Sequence, residues 1–340
     1  HWRGIYRPGE KVRLRFINTG SMTFYDIHIP GLKMTVIGTD GNLVQPVEVD
    51  QFRLAVAETY DVLIEPKEGK SYAVFAQALD RSGYAVGSIT TDENDLADIP
   101  QMDPLPILTH ADMGHGMDHS GHDMGGMDHS MHQMDNGSMD HSGHDMGGMD
   151  HSMHHGSMMH DANDEVADWP VEMATVRWGA NTNMQMTDAQ YRLDDPGVGL
   201  RDNGRRVLTY ADIRNLYPTR HAAKPDREIV LNLTGNMERY LWSIDGVPFS
   251  EAEPLYFNYG ERLRITFINH TMMTHPMHLH GMWSDVETGD NNFLPRKHVV
   301  TVQPGSKISM RVTVDAKGHW AFHCHMMYHM GGMFRRVIVA

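Results

Sequence analysis

One phrase of this chain is written nearly twice. Residues 8–18 read PGEKVRLRFIN and residues 259–269 read YGERLRITFIN. A turn followed by alternating apolar and charged residues marks a strand, because successive strand side chains face opposite ways. A strand buries nothing alone, so a repeated strand implies a repeated domain. The flanking sequence agrees. Residues 24–29, 33–38, 52–57, 60–65 and 72–77 are short β-branched and aromatic runs separated by turn residues. Residues 227–235, 298–304, 307–315, 319–324 and 334–340 are of the same kind. Short, evenly spaced strands predict an all-β chain of Greek-key β-sandwiches. Residues 205–217 are the exception and read as a short helix. A length of 340 residues suits about two such domains with extra chain between them.

That extra chain has an unusual composition. No lysine or arginine occurs between Arg81 and Arg177, and MDHSGHDMGGMDHSMH stands at 117–132 and again, unchanged, at 139–154. With few β-branched or aromatic residues the stretch is expected to form a disordered linker rather than a core. A plain spacer has no use for oxidisable thioethers. Thioethers select Cu(I), and imidazole serves either copper state. The candidate ligands are Met117, His119, His122, Met124, Met127 and His129, with Met139, His141, His144, Met146, Met149 and His151 in the second copy. The expected division is 1–98, a partial β domain; 99–165, the Met/His/Asp-rich linker; and 166–340, a C-terminal β domain. A net charge of -15 speaks against nucleic acid and for cations. No apolar run is long enough to span a membrane.

The most specific chemistry lies near the end. Cys324, the sole cysteine, sits between His323 and His325, with His329 and Met333 following; upstream, His275, His278 and His280 share one segment. Thiolate, imidazole and a weak axial thioether make a blue copper electron-transfer centre. The two segments hold more ligands than one metal takes, and strand geometry divides them. His323 and His325 point to one face and Cys324 to the other. Cys324 can bind one metal while its neighbours reach a second site. The strand is then a covalent wire between a one-electron centre and a cluster.

HPMHLHG at 275–281 and HCHMMYHMGGM at 323–333 resemble the C-terminal copper signatures of the multicopper oxidases. LRDNGRRVLTYAD (200–212), LTGNMERYLWSIDG (233–246) and TMMTHPMHLHGMWSD (271–285) resemble that family's bacterial copper-resistance branch, the CopA/PcoA type. RPGEKVRLRFIN and IPGLKMTVIGTDG resemble its second domain. The resemblance implies cupredoxin domains. It implies type 1 copper on His275, Cys324 and His329 with Met333 axial and Met330 as the alternative, since the spacing after His329 is one residue shorter than usual. It implies type 2 copper on His278, and a type 3 pair on His280, His323 and His325. Electron transfer would run from Cys324 to His323 and His325.

The branch also implies oxidation of Cu(I) with four-electron reduction of O2 to water, copper ions and O2 as partners, a periplasmic location and a periplasmic copper chaperone as donor. The family's trinuclear cluster draws further histidines from a first domain absent from residues 1–340, so this polypeptide is expected to be a C-terminal portion that does not reduce O2 by itself. Two other readings compete: a laccase-like phenol oxidase and a non-catalytic copper-sequestering protein. His28, His298 and His319 are expected to be structural, and Glu253, Asp285 and Glu287 are carboxylates near the ligand segments that could relay protons or bind copper.

Overall fold

The computed structural model describes residues 2–109, Asp112 and 167–340. The linker ligands named above, Met117 to His151, lie outside the described residues. Of the expected linker, residues 99–109 are irregular chain.

The strands form two pairs of sheets. In the first pair, a five-stranded sheet runs Trp2–Ile5, Tyr84–Thr90, Tyr72–Ala78, Tyr25–His28, Gln51–Leu54. Its partner runs Val12–Ile17, Thr59–Ile64, Met34–Thr39, Asn42–Val49. Met34, Val36, Phe52, Val62 and Ile64 fill the space between them. In the second pair, Arg227–Asn236, Arg262–Asn269 and Ser306–Thr313 are the central strands of the larger sheet. The facing sheet runs Leu255–Phe257, Phe334–Val339, Gly318–Cys324, His275–Leu279, Val299–Val302. Leu233, Leu263, Ile265, Phe267, Val312 and Phe322 lie between.

The two near-copies occupy equivalent strands but have diverged on their outer faces. In the first, Val12, Leu14 and Phe16 turn inward while Arg13 and Arg15 meet solvent. In the second, Leu263, Ile265 and Phe267 turn inward, but Arg262 and Arg264 are buried as well. A buried guanidinium is tolerated only when paired and hydrogen-bonded. Arg264 meets Glu228 at 2.9 Å and Glu287 at 2.8 Å, and Arg262 meets Asp285 at 2.8 Å. Asp285 and Glu287 are therefore paired with guanidinium groups on this outer face. Glu253 is exposed.

The helix expected over 205–217 is replaced by a single 3-10 turn, Tyr210–Asp212, closed by a capping box between Thr209 and Asp212. Extended pairing wins on both sides of it. Val207 bridges Gln51 and Asn215 bridges Val44. Leu208 and Ile213 insert into the core of the first sheet pair, so the segment straps the two halves together.

Candidate metal centre

The strand His275–Leu279 pairs antiparallel with Gly318–Cys324, placing Met277 opposite Cys324 and His278 opposite His323. Strand parity does the rest. His275 and Cys324 fall on the inner face, while His278 and His323 fall on the outer one. A 3-10 turn, Met327–His329, then brings the His329 ring back over Cys324. Cys324 Sγ lies 3.7 Å from His275 Nδ1 and 3.6 Å from His329 Nδ1, and the two Nδ1 atoms are 3.1 Å apart. Among the described residues this is the group of three His, Cys, Asp or Glu side chains close enough to hold one ion. Met333, fully buried, belongs to the same core cluster as Cys324, and Met330 is partly exposed.

The surroundings set the donor state of each ring. Thr271 is fully buried, and its hydroxyl donates to Asn269 Oδ1 at 2.9 Å. Its lone pair is left to accept His275 Nε2–H at 2.6 Å. That proton on Nε2 leaves the Nδ1 lone pair directed at Cys324 and His329. His329 is held instead by stacking, with the Trp242 ring 4.1 Å from its own and 24° from parallel. Gly332 allows this approach, because a Cβ there would lie 1.8 Å from the Trp242 carbonyl oxygen.

Burial pushes the Cys324 thiol up to about 12 and His329 down to about 3; His275 is held well below the usual imidazole range by burial and by His329. A dry cage that resists both imidazolium and bare thiolate favours a metal cation that displaces the thiol proton. The donor set, His2Cys with a thioether nearby, fits copper.

Four more imidazoles gather on the opposite face. The His278 ring lies 4.6 Å from that of His280, 5.7 Å from His323 and 5.7 Å from His325, and His280 Nε2 is 3.1 Å from His323 Nε2. His323 Nδ1 donates to the Cys324 carbonyl at 2.9 Å, so the ring's Nε2 is free to bind metal. Desolvation lowers His278 to about 4 and also lowers His323 and His325. These rings stay neutral near pH 7, as metal ligands must. Unlike the cysteine site this cluster is half open, with His280 exposed. Gly281 closes it at φ 78, where a Cβ would also strike the Trp320 ring at 2.4 Å.

The structure brings His275, Cys324 and His329 together on one face, and His278, His280, His323 and His325 together on the other. Thr271, Asn269 and Trp242 lie inside phrases quoted above but were not anticipated as partners of the site, because the loop geometry that brings Thr271 and Asn269 to His275 is not written in the residue pattern.

The multicopper oxidase profiles match residues 2–94 and 222–340. The chain belongs to the multicopper oxidases. It is 51% identical to copper resistance protein A of Escherichia coli over all of its length and 57% of that protein's. It is 52% identical to the copper resistance protein A homolog of Pseudomonas syringae pv. tomato, covering all of this chain and 56% of the relative. The chain therefore spans somewhat over half the length of these relatives. Its fold is shared with Fet3p, a multicopper oxidase that functions in iron import (TM-score 0.60, 14% identity, 99% of this chain and 57% of that one). The laccase of Botrytis aclada shares it too (TM-score 0.61, 13% identity, 99% and 53%). Both carry the cupredoxin-type sandwich.

Proposed function

We propose that this chain is the electron-accepting portion of a copper-resistance oxidase that converts Cu(I) to Cu(II) and passes the electrons to O2. The observation that carries the reading is the strand ending His323-Cys324-His325. Cys324 faces a closed three-donor cage and its two neighbours face an open histidine cluster. His275, Cys324 and His329 would hold type 1 copper with Met333 axial. His278 would hold type 2 copper, and His280, His323 and His325 type 3 copper. Bound copper supplies one-electron transfer at the cysteine cage and four-electron O2 reduction at the cluster.

The protein's own contribution is orientation and exclusion of water. Thr271 and Trp242 fix the two imidazoles, and the apolar core around Met277, Met326 and Met333 keeps the cage dry. Electrons would leave the cage through the Cys324 backbone, whose carbonyl accepts His323 Nδ1–H. Four histidines from this chain leave the cluster short of donors, so the remainder would come from the residues by which the relatives are longer. A boundary near residues 98 and 166, a periplasmic location, delivery of Cu(I) by a chaperone and copper gathering by residues 110–160 complete the reading.

A cleft lined by Trp178, Tyr240, Trp242 and Tyr328 opens beside the cage and favours phenol oxidation as a second activity. Copper-loaded chain should show an intense blue charge-transfer band that Cys324→Ser abolishes. In protein carrying the complete cluster, Cu(I) should drive O2 uptake faster than a phenol does. A blue band surviving Cys324→Ser, or a phenol preferred over Cu(I), overturns the reading.

A further inference from the structure

The Lys297 side chain is 0% exposed, an environment that an ammonium tolerates only with complete pairing. Its three N–H donors have three acceptors: Thr39 Oγ1 at 2.7 Å, Asp40 Oδ2 at 3.0 Å and Glu58 Oε1 at 3.1 Å. All three belong to the first sheet pair, which contributes no candidate metal ligand among the described residues. The same carboxylate of Asp40, on a residue held at φ 48, accepts the backbone N–H of His298 at 3.1 Å and of Val299 at 3.2 Å. Asn42 Nδ2 donates to the Arg296 carbonyl at 3.1 Å. Four consecutive residues, 296–299, are thus gripped by one turn of the other half.

The grip ends on a ligand. The carbonyl of His298 accepts His278 Nδ1–H at 2.5 Å. A neutral imidazole carries its ring proton on either nitrogen, and the partner of one nitrogen decides what the other can bind. With Nδ1 protonated, the lone pair of His278 sits on Nε2.

We propose that Asp40, Lys297 and Glu58 form a positioning device for the histidine cluster: by fixing the His298 carbonyl, the first sheet pair sets the tautomer and aim of His278. The inference rests on His278 as a metal ligand, and its claim is that the ligand-free half of the chain orients it. Outer partners of metal-bound histidines act in this way, and losing one weakens metal binding about 10–100-fold.

The test uses the metal-free chain at pH 8, with nitrogen-15 histidine and the ring resonances of His278 observed directly. In the unaltered protein His278 should be a single Nδ1–H tautomer. In Asp40→Asn and in Lys297→Met it should become a mixture of tautomers, with His275 still a single species. A stability loss with the His278 tautomer unchanged would reduce the cluster to interfacial glue and overturn the proposal. Should either variant fail to fold, seen as a collapsed amide spectrum, Asn42→Ala decides, since it loosens Arg296 without unpairing a buried charge. A shift toward mixed tautomers there supports the device, and none overturns it. Failure of the oxidase reading is a separate observation: absence of a blue band from the copper-loaded, unaltered chain.

Discussion

Thr271→Val removes one hydroxyl and little volume. The hydroxyl accepts His275 Nε2–H at 2.6 Å and donates to Asn269 Oδ1 at 2.9 Å. Valine can do neither, and at this fully buried position no water replaces it. Two costs follow. In the metal-free protein a buried ring N–H loses its partner, which costs about 1–3 kcal/mol. In the copper-loaded protein the tautomer with its lone pair on Nδ1 is no longer enforced, and affinity at the cysteine cage should fall about 10–100-fold, roughly 1.4–2.7 kcal/mol. The assay is a copper titration against a competing chelator followed by the blue band, with Tm of the metal-free protein alongside. Thr271→Ser, which keeps the hydroxyl, should restore most of the affinity. Affinity within twofold of the parent in Thr271→Val would refute the claim that this hydrogen bond directs His275.

The remaining predictions concern acid, the axial position and the ring stack. Burial lowers His270 to about 4, and its ring nitrogens meet the Met186 N–H at 3.0 Å and the Asn232 side chain at 3.0 Å. A folded pKa below the unfolded value of roughly 6.5 means stability is complete above pH 6.5 and is lost as pH falls toward 4, by about 3 kcal/mol; Tm against pH should fall less steeply in His270→Gln. Met333→Leu should raise the reduction potential of the blue centre while keeping its colour, and a shift seen instead with Met330→Leu would transfer the axial role to Met330. Gly332→Ala should push the Trp242 backbone away and disturb the stack on His329, lowering Tm by an amount worth about 1–3 kcal/mol and shifting the blue band; an unshifted band would show that Trp242 does not orient the ring. Excising residues 113–166 should leave the blue band intact and lower the copper bound per chain, checked by elemental analysis.

Much of this was legible in the chain because both signals obey a period of two. The strands declare themselves by alternation, and the same alternation separates Cys324 from His323 and His325. What escaped notice lies where a residue's environment, rather than its type, sets its task. Lys297, between Arg296 and His298, carries no motif, yet it is wholly buried against Asp40 and Glu58. Asp285 and Glu287 sit near ligands in sequence but face the far side of the sheet, toward Arg262 and Arg264. The segment 205–217 has helix-forming residues, but its backbone pairs with strands of the other half.

The duplicated strand has a consequence for how such a centre can arise. Each copy ends in an asparagine that ties down the loop after it: Asn18 Nδ2 reaches the Thr23 carbonyl at 2.8 Å, and Asn269 Nδ2 reaches that of Met273 at 2.7 Å. The loops run NTGSMTF in one copy and NHTMMTH in the other. Phe24, buried in the apolar core, therefore stands where its counterpart carries His275. One hinge presents a benzene ring in the first half and a metal-binding imidazole in the second. The backbone is a socket indifferent to its plug. The difference between a ligand position and an apolar one is an exchange of side chains on a shared fold, with Thr271 standing where the other repeat has Gly20.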